Sequence, residues 1–531
     1  MRLIFIPACA LLLAACGREP APDAVAPAPV QERAVGPLVA EMTLAEASAQ
    51  LAAGSLSAEA LTQAYLERIE QIDRSGPALN SVIELNPEAL ADARTLDAER
   101  RAGNVRGPLH GIPVLLKDNI DAVGMATSAG SLALAGNRPT RDAFIVARLR
   151  AAGAVILGKT NLSEWANFRS TRSSSGWSSR GGQTRNAYVL DRNPCGSSAG
   201  TGTAVAASLA MVGVGTETDG SIICPSAVNG LVGLKPTVGL VSRGGIIPIS
   251  VSQDTAGPMG RSVADVAALL NVLAAVDPAD PASPAADGRP AVDYTAGLDA
   301  DAVRGKRFGV LRQAMGFNPD VDAAVERAVA SLQAAGAEVI DVEVTTWRQW
   351  GEDEFNVLLY EFKDGLDAYL AAAGGEHGSL ESLIAWNTAH AAQAMPHFGQ
   401  EIFEQAQAKG PLSEPAYLQA RDAARRLAGE QGLLATMDKN QLDAVIGPST
   451  SPAWPTDHVN GDHFSGAGYG IAAVARTPSI TVPSGDVRGL PIGVVFMGRA
   501  YSEAQLLGYA YTFEQATRAR KPPTFMPTLA D

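Results

Sequence analysis

Residues 195–222 read CGSSAGTGTAVAASLAMVGVGTETDGSI, a stretch rich in glycine and serine with an apolar centre. The small residues of 198–212 predict a helix, and the residues around Val214 predict a strand that follows it. Buried strands are also predicted at 112–116 and 154–157, with a helix at 142–152 between them. This alternation of helices and strands is typical of an α/β fold.

The same pattern extends to both sides of this stretch. Towards the N-terminus, Thr43 and Glu46 form a capping-box pattern, and helices are predicted at 57–73 and from Asn86-Pro87 to Gly103. Towards the C-terminus, we predict a strand at 307–311, a helix at 320–335 and a strand at 338–342, and we interpret 277–290, which is rich in proline, as a loop. We therefore expect one large domain, 37–531, with a helical insert at about 347–437.

The composition excludes some partners. The chain has 531 residues, a formal net charge of -14 and acidic and basic residues interspersed along its length. Such a chain offers no basic patch that could neutralise phosphates, so a nucleic-acid partner is not expected. After residue 13 no apolar run reaches the roughly 18 residues that a membrane-spanning helix needs.

The first forty residues resemble an export signal. Met1 and Arg2 precede an apolar run at 3–13, and the run ends in Leu-Ala-Ala-Cys16-Gly, which is similar to the lipobox of bacterial lipoproteins. We expect a signal peptide at 1–15, a lipid on Cys16 and a Pro/Ala-rich linker at 16–36. This predicts an exported lipoprotein on the periplasmic side of an envelope membrane, touching that membrane only through its lipid. An ordinary secretory signal cleaved near Ala15 is the alternative.

Two cysteines remain in the expected mature domain, Cys195 and Cys224. An oxidising envelope would permit a bond between them, but the sequence does not give their separation. Two buried free thiols are the default expectation.

Two motifs suggest other chemistries. Residues 153–160, GAVILGKT, have the spacing of a Walker A phosphate loop, but 154–157 is itself an apolar strand, so we interpret the motif as strand and turn. Residues 196–200, GSSAG, fit a nucleophile elbow with Ser198 as nucleophile. That hypothesis needs a downstream histidine after an apolar strand, and none of the later histidines has that position. His110 is expected to have a structural role.

Three segments carry a more specific pattern: 113–119 (PVLLKDN), 195–200 (CGSSAG) and 215–222 (GTETDGSI). Together they resemble the amidase signature family, whose catalytic lysine falls on Lys117, bridging serine on Ser197 and nucleophile on Ser221. The two serines are 24 residues apart, as in the family. The resemblance continues through 233–237, 253–259, 477–483 and 489–493. It implies one domain built on a large mixed sheet surrounded by helices.

The trio is chemically reasonable because a serine can attack an amide only when a base removes its proton. A lysine is such a base only when neutral, and burial lowers its pKa from about 10.4. Lys117 closes an apolar strand, although Asp118 would raise the pKa of Lys117 if its carboxylate faced inward. The resemblance makes Ser197 the proton relay, after a cis peptide bond from Gly196.

An oxyanion site is expected in the turn that precedes Ser221. The backbone N–H groups of Thr218, Asp219 and Gly220 would bind the oxyanion of the tetrahedral intermediate. Many family members have a second glycine where this chain has Asp219, so this role requires Asp219 to fit the turn, and Asp tolerates unusual turn conformations better than most residues.

Within the family, 161–169 (NLSEWANFR), 181–186 (GGQTRN) and 215–222 are most similar to bacterial peptide amidases. This similarity implies hydrolysis of C-terminal peptide amides through a seryl acyl-enzyme, with release of ammonia. Trp165 and Asn167 are candidate substrate contacts, although core packing explains Trp165 equally well. An aryl or aliphatic acylamidase is an alternative, and a solute-binding lipoprotein without turnover is another. No cofactor or metal is expected, and the sequence does not indicate an oligomeric state.

Overall fold

The computed structural model describes residues 39–283 and 292–529. The expected signal peptide, the lipid on Cys16 and the linker lie outside these residues, as does the end of the proline-rich loop. Within the described ranges, no helix is long and apolar enough to cross a membrane.

A large mixed sheet is the centre of the described structure. The strands in chain order are β1 (Val82–Leu85), β2 (Pro113–Lys117), β3 (Val155–Thr160), β4 (Trp177–Ser178), β5 (Gly182–Gln183), β6 (Val212–Glu217), β7 (Val232–Lys235), β8 (Thr255–Gly260), β9 (Arg307–Leu311), β10 (Glu338–Val342), β11 (Ala444–Pro448), β12 (Ser479–Val487) and β13 (Leu490–Met497). Eleven of them pair in the order β1-β3-β2-β6-β8-β7-β12-β13-β11-β9-β10, and β4 pairs with β5. Strands β3, β2 and β6 are parallel, as are β11, β9 and β10, and the other pairs are antiparallel.

Helices cover the sheet. They are α1 (Leu44–Ala53), α2 (Ala58–Arg68), α3 (Ala89–Arg101), α4 (Phe144–Ala151), α5 (Ala199–Ala206), α6 (Ile223–Val228), α7 (Val263–Leu273), α8 (Pro319–Ala334), α9 (Gly351–Ala373), α10 (Leu380–Ala389), α11 (Ala391–Ala394), α12 (Glu401–Gln407), α13 (Pro415–Arg425), α14 (Leu434–Asn440), α15 (Gly470–Val474) and α16 (Glu503–Thr517). In β2, Val114 and Leu116 pack into one hydrophobic core and Leu115 into another. Because successive side chains of a strand face opposite sides, β2 is buried on both faces.

The predicted α/β fold with a mixed sheet surrounded by helices is confirmed. Strands β9 and β10 have the predicted bounds, and Thr43 and Glu46 form the predicted capping box of α1. The helical insert is also present, as α9 to α14. Some predicted helix bounds differ from those observed. The helix predicted from Asn86 begins at Ala89, and the one predicted at 198–212 ends at Ala206, because the chain turns there and β6 begins at Val212.

The segment with Walker A spacing is a strand, as expected. Lys159 lies in β3 and is fully buried, and its Nζ donates to the Ala126 carbonyl at 3.1 Å and to Thr127 Oγ1 at 3.2 Å. A phosphate-binding lysine would need its ammonium group free to reach the phosphates. His110 has the expected structural role, since its two ring nitrogens pair with the Leu96 carbonyl and the Arg106 N–H.

A buried arginine connects the helical insert to the rest of the domain. Arg169 forms an ion pair with Glu164, and both side chains are fully buried. Its guanidinium also donates to the Ala394 carbonyl at 2.7 Å and lies over the Phe398 ring, 4.4 Å from the ring centre. Because a buried carboxylate is costly without a counter-charge, Glu164 depends on Arg169.

We therefore expect Arg169→Met to lower the free energy of unfolding by about 3 to 5 kcal/mol, the usual cost of breaking a buried ion pair. Urea unfolding followed by circular dichroism measures this. Arg304→Met is the control, because its pair with Asp301 is exposed and should contribute less than about 1 kcal/mol. Equal effects of the two substitutions would contradict this role of Arg169.

Candidate active site

The structure brings Lys117, Ser197 and Ser221 to one place. Lys117 is the last residue of β2 and is fully buried. Its Nζ lies 2.7 Å from Ser197 Oγ, 2.8 Å from Thr216 Oγ1 and 3.1 Å from the Thr216 carbonyl oxygen. Thr216 belongs to β6, which is hydrogen-bonded to β2, so the strand pairing sets these contacts. The amine therefore has three oxygen neighbours and no carboxylate among its hydrogen-bond partners.

Burial sets the protonation state of Lys117. Desolvation lowers its pKa to about 7, against the opposing charges of Asp254 and Glu217. Asp118 does not oppose this shift, because its carboxylate faces Arg180 at 3.3 Å and accepts from the Gly130 N–H at 3.1 Å. Near neutral pH a substantial fraction of Lys117 is therefore uncharged.

Ser197 is held in a tight loop before α5. The peptide bond between Gly196 and Ser197 is cis, as the family resemblance implied. A Cβ atom on Gly196 would lie 2.1 Å from Ser163 Oγ, so only glycine fits here. The Ser163 N–H donates to the Ser197 carbonyl at 3.1 Å. This loop is therefore packed directly against the segment that follows β3.

Ser221 lies in the turn between β6 and α6. Glu217 Oε2 accepts hydrogen bonds from the N–H groups of Ile222 at 2.7 Å and Ile223 at 2.9 Å, which fixes the start of α6. Gly220 has a φ of 78°, and a Cβ there would lie 2.2 Å from the Tyr469 ring. The Ser221 hydroxyl forms no hydrogen bond with any described residue and is left available to a substrate.

Ser198 does not have the position of a nucleophile. It is fully buried, its hydroxyl donates to the Thr216 carbonyl at 3.1 Å, and its Oγ accepts from the Thr216 N–H at 3.2 Å. Its own N–H donates to the Ser221 carbonyl at 3.2 Å. These contacts do not favour the nucleophile-elbow alternative, since Ser198 joins β6 to the two serine-containing loops.

Asp219 fits the turn without adopting a positive φ, since Gly220 takes the left-handed conformation. The Asp219 carboxylate lies beside Gly470, where a Cβ atom would be 3.5 Å from it. Desolvation there, together with the nearby carboxylates of Glu354 and Glu217, raises the pKa of Asp219 well above its ordinary value. The departure from the second glycine thus leaves the backbone of the turn intact.

Cys195 and Cys224 form a disulfide, with their Cα atoms 6.0 Å apart. The expectation of two free thiols was wrong, because the separation of the two cysteines depends on how the loop before α5 meets α6. The bond lies two residues before Ser197 and three residues after Ser221. It therefore covalently joins the segments that hold the two serines.

A cavity of about 210 Å³ opens above the trio. Ser197, Ser221 and Asn119 lie in its wall, together with Thr216 and Thr218. Much of the remaining wall is apolar and comes from Ala166, Ile246, Ile247, Pro248, Ile249 and Val251. At its edge Arg243 forms an ion pair with Asp280. The cavity can therefore take an apolar group beside the serine hydroxyls.

The two proposed substrate contacts do not line this cavity. Trp165 is 2% exposed and packs against Phe403, with ring centres 5.4 Å apart, so the core-packing interpretation is the correct one. Asn167 donates to Ser175 Oγ at 3.3 Å. Ala166, between them, does reach the cavity. Residues 246–251 and Asn119 contribute to the cavity wall but were not predicted to do so. No local pattern marked 246–251, whereas Asn119 stands two residues after Lys117 in a segment already singled out.

The described residues contain no group of three or more His, Cys, Asp or Glu side chains that could hold a metal ion. No histidine is among the residues found to line the cavity. Lys117 contacts this wall through Ser197, which lines the cavity and lies 2.7 Å from its Nζ.

Comparison with known proteins places the chain among amidases. The family model named Amidase matches residues 60–507. A solved structure of the peptide amidase PAM in complex with the competitive inhibitor chymostatin is 56% identical, covers 91% of this chain and 99% of its own, and has a TM-score of 0.90. The native peptide amidase of Stenotrophomonas maltophilia is 55% identical, with coverages of 92% and 99% and a TM-score of 0.89. An Arabidopsis thaliana protein described as a probable amidase is 38% identical over 486 residues, 89% of each chain.

The disulfide predicts a stability effect. We expect the double substitution Cys195→Ser and Cys224→Ser to lower the free energy of unfolding by about 3 to 4 kcal/mol, because the bond closes a loop of about 30 residues in the unfolded chain. Guanidinium unfolding with and without dithiothreitol measures this. The reductant should destabilise the wild type and leave the double variant unchanged. A wild type that is indifferent to reductant would show that the bond is absent.

Proposed function

This chain belongs to the amidase signature family, and we propose that it hydrolyses carboxamides through a triad of Ser221, Ser197 and Lys117. Membership of the family makes it an amidohydrolase, so the alternative of a solute-binding protein without turnover is set aside. The observation that carries the proposed triad is the 2.7 Å contact between Lys117 Nζ and Ser197 Oγ, within a cavity that Ser197 shares with Ser221.

In the proposed first half-reaction, a proton is relayed from Ser221 through Ser197 to Lys117. Neutral Lys117 has two hydrogens, which the two Thr216 oxygens can accept, and a lone pair for the Ser197 hydroxyl. Ser221 Oγ attacks the carbonyl carbon while Ser197 takes its proton and passes its own to Lys117. The N–H groups of Thr218, Asp219 and Gly220 stabilise the oxyanion. The relay then runs backwards, protonates the amide nitrogen and releases ammonia.

The second half-reaction uses the same groups. Water attacks the ester between the acyl group and Ser221, and it loses a proton through Ser197 to Lys117. The ester bond breaks, the proton returns to Ser221, and the carboxylic acid leaves. Each turnover thus consumes one water and regenerates all three side chains without an external proton donor.

We propose C-terminal amides of peptides as the substrate class. The apolar wall at 246–251 suits an apolar side chain next to the scissile amide, and two solved relatives above 50% identity are named peptide amidases. An aryl or aliphatic acylamidase of the same family is the alternative. Values of kcat/KM for a peptide amide, an anilide and a short aliphatic amide distinguish these three substrate classes.

We further propose that the enzyme is exported and held at an envelope membrane by a lipid on Cys16. The Cys195–Cys224 disulfide supports export, because such bonds persist in oxidising compartments. An exported enzyme would also meet peptides directly.

Substitution of the nucleophile is the direct test of the triad. We expect Ser221→Ala to lower ammonia release from a peptide amide by about four orders of magnitude or more, since the proposed acyl-enzyme forms on the Ser221 hydroxyl. Ammonia is measured with a coupled dehydrogenase assay. Ser198→Ala is the matched control and should lose less than about tenfold, because its hydroxyl only supports the backbone. The reverse order would assign the nucleophile to Ser198.

The pH profile tests the base. Because Lys117 acts only when neutral and its pKa is about 7, kcat/KM should rise about tenfold between roughly pH 6 and 8. The charge of Asp254 raises the pKa of Lys117, so Asp254→Asn should move this rise to lower pH. Asp438→Asn removes an exposed charge as a control and should leave the profile in place. A rise that stays fixed in Asp254→Asn would argue against Lys117 as the titrating group.

A further inference from the structure

Asn119 lines the cavity and has an unused hydrogen-bond acceptor. Asn119 is 4% exposed and lines the cavity with Ser197 and Ser221. Its Nδ2 donates to Thr216 Oγ1 at 3.0 Å, whereas its Oδ1 is buried and has no hydrogen-bond partner among the described residues. Buried acceptors are rarely left unpaired in folded proteins, so this oxygen is suited to a donor that a ligand brings.

A peptide amide has two kinds of hydrogen-bond donor, the N–H groups of its backbone and those of the leaving nitrogen. The carbonyl oxygen of the scissile bond is an acceptor, as is the bridging oxygen of an ester, and neither can pair with Oδ1. The N–H groups of a carboxamide are donors. Asn119 lines the same cavity as Ser197, and Ser197 is the residue that returns a proton to the departing nitrogen. Asn119 Nδ2 and Lys117 Nζ also both contact Thr216 Oγ1, so this acceptor belongs to the same part of the site as the base that supplies the proton.

We propose that Asn119 determines specificity for carboxamides by accepting a hydrogen bond from the leaving nitrogen at its Oδ1. This inference rests on the proposed function. With one N–H held by Asn119, the nitrogen lone pair formed in the tetrahedral intermediate can turn towards the Ser197 hydroxyl, which protonates it.

Thr216 keeps this acceptor aligned with the base. Its Oγ1 is within hydrogen-bond distance of both Asn119 Nδ2, at 3.0 Å, and Lys117 Nζ, at 2.8 Å. Asn119, which would accept from the leaving nitrogen, and Lys117, which supplies the proton, therefore both contact Thr216 Oγ1. Asn119 also receives the Ile247 N–H at its backbone carbonyl, at 2.9 Å, which connects it to the apolar wall.

Two substrates with the same acyl part test this inference, a peptide amide and the corresponding peptide methyl ester. They form the same acyl-enzyme, and the leaving atom carries an N–H only in the amide. We expect Asn119→Ala to lower kcat/KM for the amide at least about tenfold more than for the ester. The reason is that only the leaving atom of the amide has an N–H that could donate to the acceptor removed by the substitution. Background ester hydrolysis is subtracted with Ser221→Ala.

The ratio of the two values is independent of how much of the variant folds, since both substrates report the same active molecules. Asn119→Ser repeats the test with a smaller change and should also lower the ratio. Equal losses on amide and ester would overturn the inference. A displaced rise in the pH profile with the ratio unchanged would also overturn it, because Asn119 would then act through Lys117. A wild type that hydrolyses neither substrate would overturn the proposed function instead.

Discussion

The site depends on keeping one lysine buried without a carboxylate in contact with it. Lys117 can be neutral only because β2 is covered on both faces and because its Nζ meets the oxygens of Ser197 and Thr216 rather than an anion. A salt bridge in this position would stabilise the ammonium form and remove the base. The eleven-stranded sheet provides the necessary burial, since β2 lies between β3 and β6.

The chain has a net charge of -14, but the carboxylates near Lys117 form their hydrogen bonds and ion pairs with other groups. Asp118 pairs with Arg180, and Glu217 accepts hydrogen bonds from the first N–H groups of α6. Asp254 accepts from Thr218 Oγ1 and from two backbone N–H groups, and burial raises its pKa to about 6. Asp254 and Glu217 therefore act on Lys117 through their charge and not through a hydrogen bond to its Nζ.

Several independent contacts hold the two serine-containing loops together. The Cys195–Cys224 disulfide joins them covalently, and Ser198 connects both to Thr216 and Ser221 by hydrogen bonds. Because Gly196 and Gly220 have no side chain, Ser163 packs directly against the backbone of Gly196 and Tyr469 against that of Gly220. This redundancy suits a site whose two serine-containing loops must keep a fixed position relative to each other.

The sequence by itself determined the α/β class, the bounds of strands such as β9 and β10, and the identity of Lys117, Ser197 and Ser221 as a group. The fold class and the strand bounds follow from local periodicity, and the three residues follow from the resemblance of their motifs to the amidase signature family; both are properties of short segments. The tertiary structure decided the disulfide, the burial of Trp165 against Phe403, and the apolar wall at 246–251. Each of these depends on which distant segments meet. The unpaired Oδ1 of Asn119 is of the same kind, because an unused acceptor can be recognised only when all of its neighbours are known.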